Sequence, residues 1–483
     1  MIMNGVLDRR KNDFTKVDLV VYTLLTVFFV INLLTFDYSG ANWAVILTFF
    51  LLGVFFYYRI ITASTNISLC RVYYIFCFVF MFYAPLQQYL SGTVFQSGNG
   101  WKLTYSDTDY LRANGLLIAF TALFELGYRL TKNKETTRRP YILVPTARMQ
   151  VLLFLGSLLS IGILSVSGNL FGRVGYGVSN VNIGSQINNI LRFFPAACFI
   201  VTFLQNKELV YKQKWSIVIY GLETFLVFFP FYGSISRFLL FGVYLMIITL
   251  FFVNAKHKSL FFLLCIIGFF FVFSSFNYFK THTVVDMSGF ALSITNFNMM
   301  DYDAYQMLMA TMHYVKENGS AMGRNILAVI FNFVPRSIWT SKMYPTGQIV
   351  AEYFGTWFTN LSCPIAAECY FAFGGFGIVI GAPIVGLLLK KVDGFSISDS
   401  FFKCGLFHLL SGLLIFILRG ALLPTIAYTL ALSISLGMVC IVVRFFSLRV
   451  TATTLQDIDD ANGLAELSRS YGAQKRKPAW RKQ

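Results

Sequence analysis

Residues 259–278 read SLFFLLCIIGFFFVFSSFNY, a run without a charged side chain. A hydrocarbon core about 30 Å thick is crossed by about 20 apolar residues in helical form. Apolar side chains here follow one another rather than alternate, so the run is not a strand of a transmembrane β-barrel. Comparable runs occupy residues 18–36, 43–63, 70–90, 110–130, 149–166, 189–205, 216–230, 238–253, 364–389, 401–418 and 424–445. The expectation is an all-α polytopic membrane protein of about 12 transmembrane helices. The 483-residue composition agrees: 56% hydrophobic, 18% aromatic and 13% charged, with a mean hydropathy of +0.64. A soluble domain carries about 25% charged residues.

The formal charge of +17, from 39 Lys and Arg against 22 Asp and Glu, would suggest nucleic acid in a soluble protein. Here most of the excess falls between spans, where Lys and Arg set orientation. The expected partner is therefore the lipid bilayer, with no nucleic acid. The segment between the fourth and fifth spans holds Lys132, Lys134, Arg138, Arg139 and Arg148, which makes it cytoplasmic and puts both termini on that side. Arg9, Arg10, Lys11 and Lys16 precede a full-length span with no small-residue cleavage site, so no cleaved signal sequence is expected. The organisation is a cytoplasmic segment 1–17, a membrane domain 18–450, and a disordered basic tail 451–483 that ends QKRKPAWRKQ and touches anionic lipid. Cys70, Cys77, Cys198, Cys265, Cys363, Cys369, Cys404 and Cys440 form no C-x-x-C pair and read as small core residues.

Two outer connections are long enough to do chemistry, 167–188 and the much larger 279–363 between the ninth and tenth spans. Within the second, residues 302–315 and 325–334 carry apolar side chains at three- and four-residue spacing, as helices lying on the membrane surface do. A folded outer loop in such a protein marks a working site at the outer surface. There is no P-loop, no H-E-x-x-H and no metal-ligand spacing, and His257, His282, His313 and His408 are scattered. Neither a cofactor nor a metal is expected. Two D-x-D triplets, Asp107/Asp109 and Asp301/Asp303, are the alternative that would hold a divalent cation. Gly374, Gly375, Gly377 and Gly381 share one expected span and read as packing residues.

Arginine is the stronger signal. Arg173 precedes Gly184 and Arg336 precedes Gly347, with the same spacing in each of the two outer loops. The stretches VPRSIWTSKMYPTGQ (334–348) and CPIAAECYFAFGGFGIVIG (363–381) resemble the signature region of the Wzy-type O-antigen and capsule repeat-unit polymerases. Members of that family are similar in having about twelve spans, two functional outer loops and an Arg-x10-Gly motif in each. The resemblance implies transfer of a growing glycan from undecaprenyl pyrophosphate to a hydroxyl of an incoming lipid-linked unit. It also implies a bacterial inner membrane location, and a chain-length regulator and a flippase of the same pathway as partners.

Guanidinium groups suit a lipid-pyrophosphate leaving group because their planar fork matches phosphate oxygens. Arg173 and Arg336 are the expected catalytic arginines, with Gly184, Gly347, Lys342, Trp339 and Tyr344 lining the substrate. Trp339, Tyr344, Tyr353 and Trp357 are also the residue types of an interfacial belt. The acceptor hydroxyl needs a base. Glu368 is the first candidate and His313 the second, while the structural alternative for Glu368 is an ion pair with Arg419. Asp18, Glu125 and Glu223 lie at or within spans without an assigned role. Two rivals are an O-antigen ligase and, in a different class, a flippase for the same lipid-linked unit.

Overall fold

The computed structural model describes residues 15–63, 65–92, 103–132, 141–170, 183–208, 214–229, 235–253, 255–272, 297–356 and 358–451. Helices occupy every expected span: α1 (Lys16–Leu34), α2 (Trp43–Ile61), α3 (Leu69–Ser91), α4 (Asp107–Leu130), α5 (Ala147–Val166), α6 (Ile183–Glu208), α7 (Lys214–Val227), α8 (Arg237–Phe252) and α9 (Ser259–Val272). The loop that follows contributes α10 (Ala304–Asn318), α11 (Arg324–Ile330) and α12 (Thr346–Tyr353). Next come α13 (Ile365–Phe373), α14 (Gly375–Asp393), α15 (Phe401–Arg419) and α16 (Leu422–Phe446). Among the described residues, eight helices are long and apolar enough to cross a membrane. The chain is thus an all-α, multi-pass membrane protein, with the lipid bilayer as its surroundings.

The ends of these helices are written into local sequence. Thr15 and Asp18 form a reciprocal cap at the start of α1, and Asn42 caps α2 through the Ala44 N–H. Asp18 also accepts from the Ser259 N–H at 2.8 Å and its hydroxyl at 2.7 Å, which ties α1 to α9. Glu125 accepts from Arg59 at 2.7 Å and Arg129 at 2.8 Å, and the Glu223 carboxylate from the Ser157 hydroxyl at 2.5 Å. The three carboxylates left unassigned by sequence are therefore fasteners between helices. Helix α3 lies at the centre, buried on all sides. Its Arg71 donates to the carbonyls of Asn66 and Lys258 and to the Tyr22 hydroxyl. Helices α4 and α14 touch backbone to backbone at Gly127 and Gly386, where a Cβ would sit 2.1 Å from the Pro383 carbonyl and 2.2 Å from that of Phe124.

Four expectations need correction. The tenth span is two helices: Gly374, with φ of +60°, breaks it, and α14 folds back along α13. A Cβ on Gly377 would meet the Cys369 carbonyl at 1.8 Å and one on Gly381 the Cys369 sulfur at 2.4 Å, so these glycines make the fold-back possible. Helix α10 does not lie on a surface: Ala304 through Thr311 are buried on every side. Its amphipathic spacing is overridden because neighbouring helices cover the polar face as well: Gln306 and Thr311 are buried as fully as Leu308. The expected helix 325–334 stops at Ile330 and continues as turns. Finally, the tail does not start cleanly at 451: Leu448–Thr451 pairs antiparallel with Tyr141–Val144, Val144 opposite Leu448. Residues 452–483 lie outside the described residues, and all eight cysteines are free thiols.

Candidate functional site around Arg336

Arg336 sits in the turns between α11 and α12 and is held on three sides. Its guanidinium donates to the Lys342 carbonyl and to that of Met343 at 2.8 Å, and lies 3.8 Å from the centre of the Tyr344 ring. Lys342 returns the brace: its ammonium donates to the carbonyls of Asn332 at 2.7 Å, Val334 at 2.9 Å and Phe331 at 3.3 Å. Two cations thus stitch one loop by capping each other's flanking carbonyls. Neither has a carboxylate partner among the described residues. Burial, with the Arg336 charge beside it, holds the Lys342 ammonium below the usual lysine range, and burial also lowers Arg336.

This arrangement separates the two expected roles. Lys342 is 3% exposed with its ammonium fully engaged, so it braces the loop rather than lining a substrate. A lysine ammonium has three donors, and three carbonyls take them. Arg336 is half-buried and keeps guanidinium N–H groups beyond the two carbonyl bonds. Tyr344 serves as the platform under that guanidinium, and the Trp339 indole N–H donates to the Ser341 hydroxyl at 3.0 Å.

The base of the loop is closed by Glu368. One of its oxygens accepts from Asn325 at 2.9 Å and from the Thr346 hydroxyl at 2.6 Å, residues that flank the Arg336 segment on its two sides. The other accepts from the Leu422 N–H at 2.9 Å, one of the donors left over at the start of α16. Glu368 is 1% exposed and its donors are neutral. The expected alternative, an ion pair with Arg419, does not form: Arg419 pairs with Asp303 at 2.8 Å and lies over the Phe238 ring. A base must reach its substrate, and Glu368 is enclosed with both oxygens occupied.

Gly347 follows Thr346 for a steric reason. A Cβ there would stand 2.5 Å from the Leu361 carbonyl and 2.8 Å from that of Ser362, so the first turn of α12 can approach this segment only without a side chain. The neighbouring Ser362 is fixed by Asp303, which accepts from its N–H at 3.0 Å and its hydroxyl at 2.7 Å. Asp301 accepts from Arg237 through both oxygens at 2.8 Å. The Asp301/Asp303 triplet is consumed by two arginines. The Asp107/Asp109 triplet is likewise spent at the start of α4, and no cluster of His, Cys, Asp and Glu that would hold a metal occurs among the described residues.

His313, on α10, stands apart from the Glu368 network. Its Nε2 is 3.0 Å from Asp109 Oδ1, close enough for an ion pair but off the line of a hydrogen bond. Burial alone would raise the Asp109 carboxyl; the Ser106 N–H and hydroxyl, followed by His313, hold it below the usual range. Arg173 and Trp357 lie outside the described residues, and Gly184 falls in the first turn of α6. Sequence reasoning missed Asn325, Thr346 and Tyr344's role under the guanidinium. The flanking positions of Asn325 and Thr346 around Arg336 were the signal available.

Helices of this length and hydropathy define the class as a multi-pass membrane protein. The chain matches no protein-family model, no curated protein and no solved structure.

Proposed function

We propose that this protein polymerises undecaprenyl-pyrophosphate-linked oligosaccharide repeat units into a surface polysaccharide at the outer face of a bacterial cytoplasmic membrane. Twelve helices span the bilayer in this reading, α14 serving as the tenth, with both termini cytoplasmic. The observation that carries it is the braced Arg336 guanidinium, which has donors to spare and no carboxylate partner among the described residues, inside the stretch that resembles the Wzy-type polymerases. In the reaction the bond between the glycan's anomeric carbon and the pyrophosphate oxygen breaks. The acceptor hydroxyl oxygen bonds that carbon, its proton goes to a base, and undecaprenyl pyrophosphate leaves. Arg336 stabilises the charge that grows on the leaving phosphate, a preorganised donor that costs no reorganisation at that moment.

The burial of Glu368 supports moving the base to His313, whose imidazole lies 3.0 Å from the Asp109 carboxylate, a pairing of the kind used in general-base work. Glu368 then acts as a positioning residue that fixes the Arg336 loop. Arg173 holds the pyrophosphate of the second lipid-linked substrate.

Deletion of the gene followed by analysis of lipid-linked and surface glycans tests the reading. Single repeat units at the surface indicate a lost polymerase. Polymer stranded on undecaprenyl pyrophosphate indicates a ligase, and units trapped on the cytoplasmic side a flippase. Complementation with Arg336→Ala should restore membrane protein but not polymer, and full-length polymer from that variant would refute the role of Arg336.

A further inference from the structure

Helix α11 wears its apolar residues on the wrong side for water. Asn325 and Ala328 form its buried stripe, which Asn332 continues just beyond the helix, whereas Leu327 and Ile330 on the helix and Phe331 at its C-cap are exposed. The turns that follow expose Phe333 at 66% and Ile338 at 77%. Contiguous exposed patches of this kind mark a contact with something apolar.

The height of this patch along the bundle follows from Glu368. The same carboxylate binds Asn325, the second residue of α11, and the N–H of Leu422, the first residue of α16. Helix α11 therefore lies at the level where the span Leu422–Phe446 leaves the bilayer. Gly323 abuts the Phe373 ring, so α11 also borders the Gly374 turn, where Phe373 and Phe376 are exposed and begin the lipid-facing side of α14. Exposed apolar side chains thus occupy both the face of a candidate span and the loop that borders it. The charges complete the pattern. Arg324 is exposed and Arg336 half-buried, and neither makes an ion pair with a carboxylate among the described residues.

We infer that residues 327–338 are seated in the bilayer, with Phe331, Phe333 and Ile338 among the acyl chains and Arg336 at the depth of the lipid phosphates. Long cationic side chains settle at that depth when their neighbours enter the hydrocarbon. The Glu368 clamp, which fastens both flanks of the loop to the end of a span, sets how deep it sits. This inference rests on the membrane class alone and stands or falls separately from the polymerase reading.

An environment-sensitive fluorescent amino acid placed at position 333 or 338 of the full chain, in vesicles of phosphatidylethanolamine and phosphatidylglycerol, tests it. Positions 376 and 360 serve as lipid-facing and water-facing references. Brominated acyl chains should quench 333 and 338 about as strongly as 376, and aqueous iodide should quench 360 alone. Iodide quenching at 333 and 338 would overturn the inference. So would protection from both quenchers, with dimers formed by a photo-crosslinking residue at 338, since a second copy would then cover the patch. Where the fluorescent residue is not tolerated, the photo-crosslinker alone decides: lipid adducts by mass spectrometry support insertion, protein adducts or none oppose it.

Discussion

Replacing Glu368 by alanine separates a clamp from a base. The change removes the acceptor shared by Asn325 and Thr346 on either side of the Arg336 loop, and the acceptor for the Leu422 N–H. Each hydrogen bond to this buried carboxyl contributes about 1.5 kcal/mol, where the ranges for neutral and charged partners meet. Losing the two flank bonds therefore lowers the cost of opening the loop by about 3 kcal/mol, or roughly a hundredfold in the open population. Cys363 reports on that opening, because it is fully buried beside Glu368. In a variant keeping Cys363 as its single cysteine, alkylation by a small maleimide should be slow with Glu368 and about a hundredfold faster with Glu368→Ala, given an opening-limited population. Glu368→Gln should fall between, since its amide oxygen can serve one set of donors but its NH2 then faces the other. Unchanged Cys363 reactivity and melting temperature in both variants, with polymer formation lost, would refute the clamp and mark an acid–base role instead.

Gly347→Ala should lower the amount of folded protein, because its Cβ would press on two backbone carbonyls; overpacking of this kind costs about 1–3 kcal/mol, and membrane protein level measures it. Lys342→Met should orphan three carbonyls and free the Arg336 loop, seen as new protease cleavage between residues 331 and 343 with the helical bundle intact. Asp109→Asn should destabilise the detergent-solubilised protein by about 1 kcal/mol, the usual worth of a helix cap. Because the folded Asp109 carboxyl titrates below its unfolded value, that contribution is present above about pH 4 and fades as pH falls through the folded value. The melting-temperature gap between Asp109→Asn and wild type should therefore close in strong acid, and a gap that persists or widens would contradict the pairing. His313→Gln should abolish polymer formation without altering membrane protein level.

Class and element order were legible in the chain itself. Long uncharged runs such as 259–278 can satisfy their backbone in lipid only as helices, so hydropathy by itself places each segment. Caps such as Thr15 with Asp18 are equally local. Arg336 could be singled out because its spacing to Gly347, repeated between Arg173 and Gly184, is visible in one dimension. What it touches is not. Only the folded chain decides that Arg419 pairs with Asp303 rather than Glu368, that Lys342 is consumed by three carbonyls, and that Gly374 splits an apolar run into two helices lying against each other. Partner choice among charges far apart in sequence depends on which helix ends meet, and hydropathy is blind to that. The same holds for α10, whose spacing describes an amphipathic helix but whose burial is set by the helices around it. Side-chain periodicity records which residues share a face, whereas the environment of that face is a property of the packing.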